Sequence, residues 1–574
     1  ELFRRTSVSA RNYMEFTFLK DFKFTNNLAV DYQIQNNNSY DNTVVGDGAP
    51  AGRSQKTSIT NLGFIASQLL NYGKTFNEHR IDVLLGHESF DQMNTNVNGF
   101  KQGQTVSGNV ELGNFTTINS TGSTVDEYKI ESFFSRLNYD FDGKYYLSAS
   151  VRRDGNSRFS SDSRWGTFWS VGGGWNLYKS KFLGNVEWIN QLKLRSSYGV
   201  VGNADDIGFY AYQGLYGYSN NANEPGIVQS QTQALPNMNL NWEENKQFDI
   251  GLDFSLLKGR LSGTIEYFER TSADLLFDVP QPLSSGVLTI TQNTATMKNK
   301  GVELQLSADI VSSQSFLWNT TVNVSTLTNE ITKMPEAVPE FITGTKKYSE
   351  GQSVFEYWLR SYYGVDPADG AALYLAANTA SSTNRRIINN KSGGSDTVTI
   401  LASNGKFEYQ GTAVPDLYGS CGQSFTYKNF TLNALFTFQV GGKTYDANYQ
   451  GLMSSGTYGG ALNTDILKRW QKPGDITDVP RMDAGRTTDF NAQSSRWLVD
   501  ASYLNIRSIS LAYSFPKSLI SRWNIPNAQF FVSAENVAFF SERTGLNNQQ
   551  AFSGVTSNAY APARVITAGL SLNL

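Results

Sequence analysis

Through one segment after another, this chain alternates apolar and polar residues. In Phe248-Asp249-Ile250-Gly251-Leu252-Asp253-Phe254-Ser255-Leu256 every even position is apolar and every odd one is Gly or polar. The stretch Val302-Glu303-Leu304-Gln305-Leu306-Ser307-Ala308-Asp309-Ile310 does the same, and so does Phe430-Thr431-Leu432-Asn433-Ala434-Leu435-Phe436-Thr437-Phe438, with one slip at Leu435. A period of two describes a strand with one apolar face and one wet face. Many such strands of about ten residues, joined alternately by short turns and long polar loops, describe a transmembrane antiparallel β-barrel of the outer-membrane kind.

The bulk composition fits that class. The chain has 574 residues, a length that would suggest three or four domains in a soluble protein; a barrel escapes that expectation by being one long closed sheet. Only 39% of residues are apolar and mean hydropathy is -0.37. No apolar run approaches the roughly 18 residues of a helical span. Aromatics reach 13%, with 29 Tyr and 36 Phe, as two aromatic girdles would require, although a carbohydrate-binding β protein shares that trait. Net charge is -3 with no basic tract, which argues against nucleic acid as a partner. The single Cys421 rules out an intrachain disulfide and a cysteine metal cluster. The opening residues Glu1-Leu2-Phe3-Arg4-Arg5 carry no signal peptide and read as the middle of something longer.

Counted back from the C-terminus, the pattern predicts strands at about 565–574, 528–540, 502–515, 430–445, 416–427, 316–328, 301–310, 261–270, 247–256, 192–200, 165–178, 145–153, 130–141, 79–90, 58–70, 22–34 and 8–19. Connections on one side are short, such as Lys428-Asn429, Asp142-Gly143 and Lys258-Gly259-Arg260. Those on the other side are long: about 36–56, 91–129, 202–245, 271–300, 329–415 and 446–501. A string of soluble β domains would not sort its loops by parity, whereas an outer-membrane barrel does. About seventeen strands is an odd number. An open sheet would leave unpaired edges in lipid, so further strands, from a missing N-terminal part or a second chain, are expected to complete the wall.

Several stretches resemble one family when taken together in order. They are Phe134-Ser135-Arg136-Leu137-Asn138-Tyr139, Val151-Arg152-Arg153-Asp154-Gly155-Asn156-Ser157-Arg158-Phe159, Ser197-Tyr198-Gly199-Val200-Val201-Gly202-Asn203 and Asn241-Trp242-Glu243-Glu244-Asn245. They continue with Asn299-Lys300-Gly301-Val302-Glu303, Gly364-Val365-Asp366-Pro367-Ala368-Asp369-Gly370, Asp500-Ala501-Ser502-Tyr503-Leu504 and Ser533-Ala534-Glu535-Asn536. On these the chain resembles the SusC/RagA-like branch of the TonB-dependent outer-membrane transporters. The resemblance implies a twenty-two-stranded barrel holding an N-terminal plug, and so about five strands beyond those of this sequence. It also implies import of oligosaccharides or peptides with a SusD-like surface lipoprotein as lid, energised by the TonB-ExbB-ExbD complex acting through the plug. It places residues 1–574 in the C-terminal part of the barrel domain, with plug, TonB box and first strands outside this sequence. Such barrels usually end in an aromatic residue; here the last residue is Leu574.

Candidate chemical sites are few. His79 and His87 are eight apart on one strand, on one face, but about 26 Å apart and so unable to share a metal. Two His and one Cys give poor support for a catalytic constellation, and no enzymatic activity is expected. Gly172-Gly173-Gly174 is followed by no Lys-Ser/Thr and reads as a bend or bulge in a strand, or as room for something packed inside. Asp366-Pro367-Ala368-Asp369-Gly370 carries a weak hint of structural calcium against a stronger turn signal, and Asp475 and Asp478 read as turn residues too. No cofactor is otherwise expected. On the long loops, Tyr210, Tyr212, Tyr216, Tyr218, Trp358 and Tyr362 are candidate cargo contacts, since aromatic faces stack on sugars or pack on peptide side chains. The competing reading is that they pack the loops together. Arg136, Asn138 and Asp140 share one face of a strand and are expected to face the lumen or the plug. Likewise Phe248, Ile250, Leu252 and Phe254 are expected to face lipid, and Asp249 and Asp253 the lumen.

The leading expectation is therefore an importer of oligosaccharides or peptides. The alternatives are a structural or adhesive surface barrel that transports nothing and, less supported, an outer-membrane hydrolase.

Overall fold

A computed structural model describes the chain except for residues 182, 184, 185, 206, 221–227, 379–383, 390–392, 455–458, 522–524, 551, 552, 558 and 574. The expectation about Leu574 thus lies outside the described residues. Among the described residues, eighteen strands belong to one antiparallel sheet, and all seventeen expected strands are among them. The eighteenth, Thr328–Lys333, is short and pairs with residues 296–300. The chain divides into two compact units.

The first unit contains a seven-strand meander: β1 (Leu2–Phe18), β2 (Phe22–Asp41), β3 (Arg53–Phe76), β4 (His79–Gln104), β5 (Phe115–Phe141), β6 (Tyr145–Asn156) and β7 (Trp165–Asn176). Its short connections turn on residues of positive φ: Leu19 and Lys20, Asn77, then Asp142 and Gly143. Left-handed backbone at such turns matches the twist of the flanking strands. One row across all seven strands reads Phe18, Phe22, Tyr72, Val83, Leu137, Ala149 and Val171. Every member is apolar, and Leu137 and Val171 are exposed, as a face against hydrocarbon requires.

Two rows of rings bound that face. On the short-turn side, Phe76, His79, Phe141, Tyr145 and Trp175 contact in sequence at centroid spacings of 5.4, 4.8, 6.4 and 6.1 Å. On the other side, Phe133 lies 4.9 Å from His87 and 6.4 Å from Trp165. The rows are eight residues apart on both β4 and β5, about 26 Å of strand, which a tilt of about 40° reduces to roughly 20 Å. That is the scale of the apolar band of an outer-membrane barrel.

Beyond the upper row the strands do not stop. β4 runs seventeen residues past His87, to Gln104, still paired with β5. The stretches 91–129 and 271–300, expected as loops, are therefore largely ladder, and 36–56 is ladder at both ends. Outside lipid both faces are wet, so the apolar alternation vanishes while the main-chain pairing persists. The expected bulge at Gly172-Gly173-Gly174 is also absent: β7 pairs with β6 in unbroken register from Trp165 to Trp175.

In the second unit, strands Phe316–Ser325, Leu417–Tyr427, Phe430–Val440, Tyr503–Ser514, Asn527–Ser541 and Val565–Asn573 pair in succession. Beside the slip at Leu435, the register with the next strand shifts between Leu435 and Phe436, opposite the bulged Arg507. Ile250 and Leu252 line one shallow surface depression with Leu194, Ile265, Glu266, Tyr267 and Val302, and the Asp253 carboxylate accepts a hydrogen bond from Thr264 at 2.9 Å. The long segments 329–415 and 446–501 are not loose loops. They hold two small four-stranded sheets and short helices at Ala447–Leu452 and Thr487–Phe490. Their core, with Trp497, Tyr357, Tyr374, Tyr445, Phe490 and Leu359 nearly or fully buried, is the most deeply packed part of this unit.

Candidate functional site

Two regions carry polar chemistry that could meet a solute. The first is the wet face of the meander. Alternation puts Glu88 of β4, Ser132, Phe134, Arg136, Asn138 and Asp140 of β5, and Arg152 and Asp154 of β6 on the side opposite the ring rows. Arg152 is the hub. Its guanidinium donates to Asp154 at 2.7 Å, to Ser132 at 2.8 Å and to Glu88 at 3.3 Å, and lies 5.0 Å over the Phe134 ring. Gly86 makes room for that ring, since a Cβ there would fall 2.2 Å from Phe134. Arg136 sits 3.6 Å from Asp82, a half-exposed pair. Asp140 works locally: its carboxylate accepts the Gly143 N–H at 2.6 Å and fixes the turn. Asn138 stands in register with Asp82 and Ser148. The expected common face of Arg136, Asn138 and Asp140 is present; Arg152 and Glu88, which sequence reasoning missed, hold its densest ion network.

The second region is the set of long connections. In the first unit, Phe159, Phe168, Leu240 and Trp242 form a small core, and Tyr212 packs against it. Tyr210 is partly exposed and its hydroxyl accepts the Glu127 N–H at 3.4 Å. Phe209 lies 5.6 Å from Tyr128, and Arg158 covers both rings at 4.9 and 4.4 Å. Tyr216 stands out into solvent at 63% exposure. The side chain of Tyr218 lies outside the described residues.

In the second unit, Glu356-Tyr357-Trp358-Leu359-Arg360 forms a strand in which Tyr357 and Leu359 are buried and Trp358 faces the other way. Trp358 is held 4.8 Å from Tyr409 and 6.2 Å from Phe407, with the Lys347 ammonium 4.3 Å over its ring. Tyr362 packs 5.7 Å from Tyr374 under Arg496, and burial pushes its phenol up to about 12. Both residues thus brace the folded module. Lys346 is unusual: it is buried, lies 3.1 Å over the Tyr357 ring, and donates to the Phe355 carbonyl at 2.7 Å. Burial holds its amine down to about 7.

Asp366 and Asp369 converge on one guanidinium. Arg386 bonds both carboxylates, with 2.7 and 3.0 Å contacts to Asp369, and keeps the Asp369 carboxyl below its ordinary range. A cation thus already lies between them, supplied by the chain. The turn signal there is real, for the Asp366 carboxylate accepts the Ala368 N–H at 2.9 Å and Gly370 has φ 74°. Asp475 likewise accepts the N–H groups of Gln471 and Lys472 at 3.0 Å. Among the described residues no group of three or more His, Cys, Asp or Glu is placed to hold a metal ion.

Comparison with known proteins decides the family. The family model described as "TonB dependent receptor-like, beta-barrel" matches residues 2–537. The chain belongs to the TonB-dependent receptor β-barrel family. Within this family it is SusC/RagA-like and a protein of the Gram-negative outer membrane. It is 27% identical to TonB-dependent receptor P3 of Formosa agariphila, over 98% of this chain and 57% of that protein. It is 26% identical to TonB-dependent receptor SusC of Bacteroides thetaiotaomicron, over 88% of this chain and 49% of SusC. Against the solved structure of the RagAB peptide transporter the TM-score is 0.86 at 25% identity, covering 99% of this chain and 62% of that one. The chain thus spans about half to three fifths of the relatives it matches. The family consists of transporters and receptors, not enzymes.

Proposed function

We propose that the protein to which this barrel portion belongs imports oligosaccharides or peptides across the outer membrane in a TonB-dependent manner. A SusD-like surface lipoprotein closes over it, and a plug transmits the pull of TonB, ExbB and ExbD. The observation that carries this reading is the likeness to RagAB across 99% of the chain, folded external segments included. The wet face with Arg136, Asn138 and Asp140 then lies along the plug or the solute path. Among the loop aromatics whose side chains are described, Tyr216 and Tyr210 have surface to offer a cargo, and Tyr212, Trp358 and Tyr362 act chiefly as braces.

The test is uptake of labelled oligosaccharide and peptide mixtures by cells carrying the intact transporter and its lipoprotein. Uptake of one class, abolished by deletion of TonB, is the expected result. Absence of any TonB-dependent uptake, with surface adhesion retained, would overturn the importer in favour of an adhesive barrel.

A further inference from the structure

Above the upper ring row, β5 has a partner on one side only. β4 pairs with it along its whole length, while β6 joins the other side only from Ile130 toward the short turn. Residues 116–125 are all exposed, Ile118 at 64% and Val125 at 56%. Their main-chain direction follows from neighbouring contacts. In a strand, the N–H and C=O of one residue point to the same side, and successive residues alternate. Ser157 donates its N–H to the Lys129 carbonyl at 3.0 Å, and Lys129 donates its N–H to the Ser157 hydroxyl at 2.9 Å. Lys129 therefore addresses the side away from β4, and so do Glu127, Val125, Ser123 and Thr121.

That edge is closed at both ends and open between. Ser157 covers Lys129, and the Tyr210 hydroxyl takes the Glu127 N–H. At the far end, the register with β4 shifts between Ser120 and Ile118. Between the closures, Thr121, Ser123 and Val125 present six main-chain groups, for which no partner exists among the described residues. Exposed edges are ordinarily guarded by charge or proline. Ser120-Thr121-Gly122-Ser123-Thr124-Val125 has neither.

We propose that this window is a peptide-binding site, where an extended peptide adds to β5 as a further strand. The proposal rests on the importer reading and names peptide as its cargo. Donor and acceptor pairs repeating every second residue, about 6.8 Å apart, match polypeptide main chain and not sugar hydroxyls. A second copy fits poorly. Two molecules inserted in one membrane present β5 running in the same sense, and tilts of about 40° would cross the two strands at about 80°. The small, uncharged side chains of the window place little demand on peptide sequence, which suits a mixed cargo better than one dedicated partner.

The test uses the intact transporter in nanodiscs and a fluorescent hexapeptide of alternating Val and Thr. Because the Ser123 N–H points away from β4, Ser123→Pro removes an edge donor and leaves the ladder. S123P and T121P should each weaken binding at least tenfold, and S123A less than twofold, with folding verified by heat-modifiable gel mobility. N-methylation of the peptide at every residue, which leaves neither of its edges free to pair, should weaken binding at least tenfold to the wild type, a readout that needs no variant. Equal binding of methylated and unmethylated peptide, displacement by an oligosaccharide, or loss of lipoprotein capture in S123P with peptide affinity unchanged would each overturn the site. TonB-dependent uptake unchanged in S123P and T121P overturns the edge while the importer stands. If uptake proves independent of TonB but methylation still weakens binding, the importer falls and the edge is supported.

Discussion

The spanning sheet and the external module of segments 329–415 and 446–501 keep their shape by different means. In the meander β1–β7, apolar residues such as Leu137, Val151 and Val171 are exposed in the protein and depend on lipid for cover. In the module, Trp497, Tyr357 and Tyr374 are covered by the protein itself. The sheet reads as a two-residue pattern and needs no packed interior. The module is inserted between strands and has a hydrophobic core of its own. The lesson is that hydrophobicity in one chain answers to two solvents, and a substitution should fail in the environment that its side chain uses.

The largest effect that would break the contrast lies in the module. Trp497→Ala should destabilise it by about 3–5 kcal/mol, seen as faster hydrogen exchange in residues 356–360 and 443–445 while the sheet stays protected. If the sheet loosens equally, the module is not an independent core. Next come Leu137→Arg and Leu252→Arg, each expected to cost roughly 2–4 kcal/mol in folding into lipid vesicles, read by urea titration. Spin labels at Asp249 and Asp253 should report the wet side, and the reverse accessibility would refute the register.

A smaller effect concerns pH. The Lys346 amine is held down to about 7, against 10.5 for the free side chain. Between those values the unfolded module binds a proton that the folded one lacks, so stability rises with pH across that window and is flat below it. The rise is at most about 1.4 kcal/mol per pH unit. Exchange-derived stability at pH 7 and pH 9 should show it in the wild type and not in Lys346→Met. The smallest effect is Arg386→Gln, about 1–2 kcal/mol for a partly exposed pair. It also frees two carboxylates, and calcium titration of that variant alone would sharpen the turn reading.

These environments also decide what the sequence disclosed. Every spanning strand was legible, because one lipid-facing side forces apolar residues into alternate positions. The ladder beyond His87 was not: at Asn94-Thr95-Asn96 both sides meet water, and no periodicity is imposed. The module's core hid in plain sight. In Tyr357-Trp358-Leu359 the rings were noticed, but which of them points inward depends on pairing with Phe407 and Tyr409, some fifty residues away. The Arg152 network was equally silent, since Glu88 and Arg152 are brought together only by the β4–β5–β6 register.

The two ring rows, eight residues apart on β4 and β5, have a consequence for where the protein can live. Rings at fixed heights act as floats, so immersion depth is set by covalent geometry and cannot adapt to the surrounding lipid. Acyl chains longer than that interval must compress around the protein, and shorter ones must stretch. The bacterial outer membrane, thinner than most, is the bilayer that such a spacing suits.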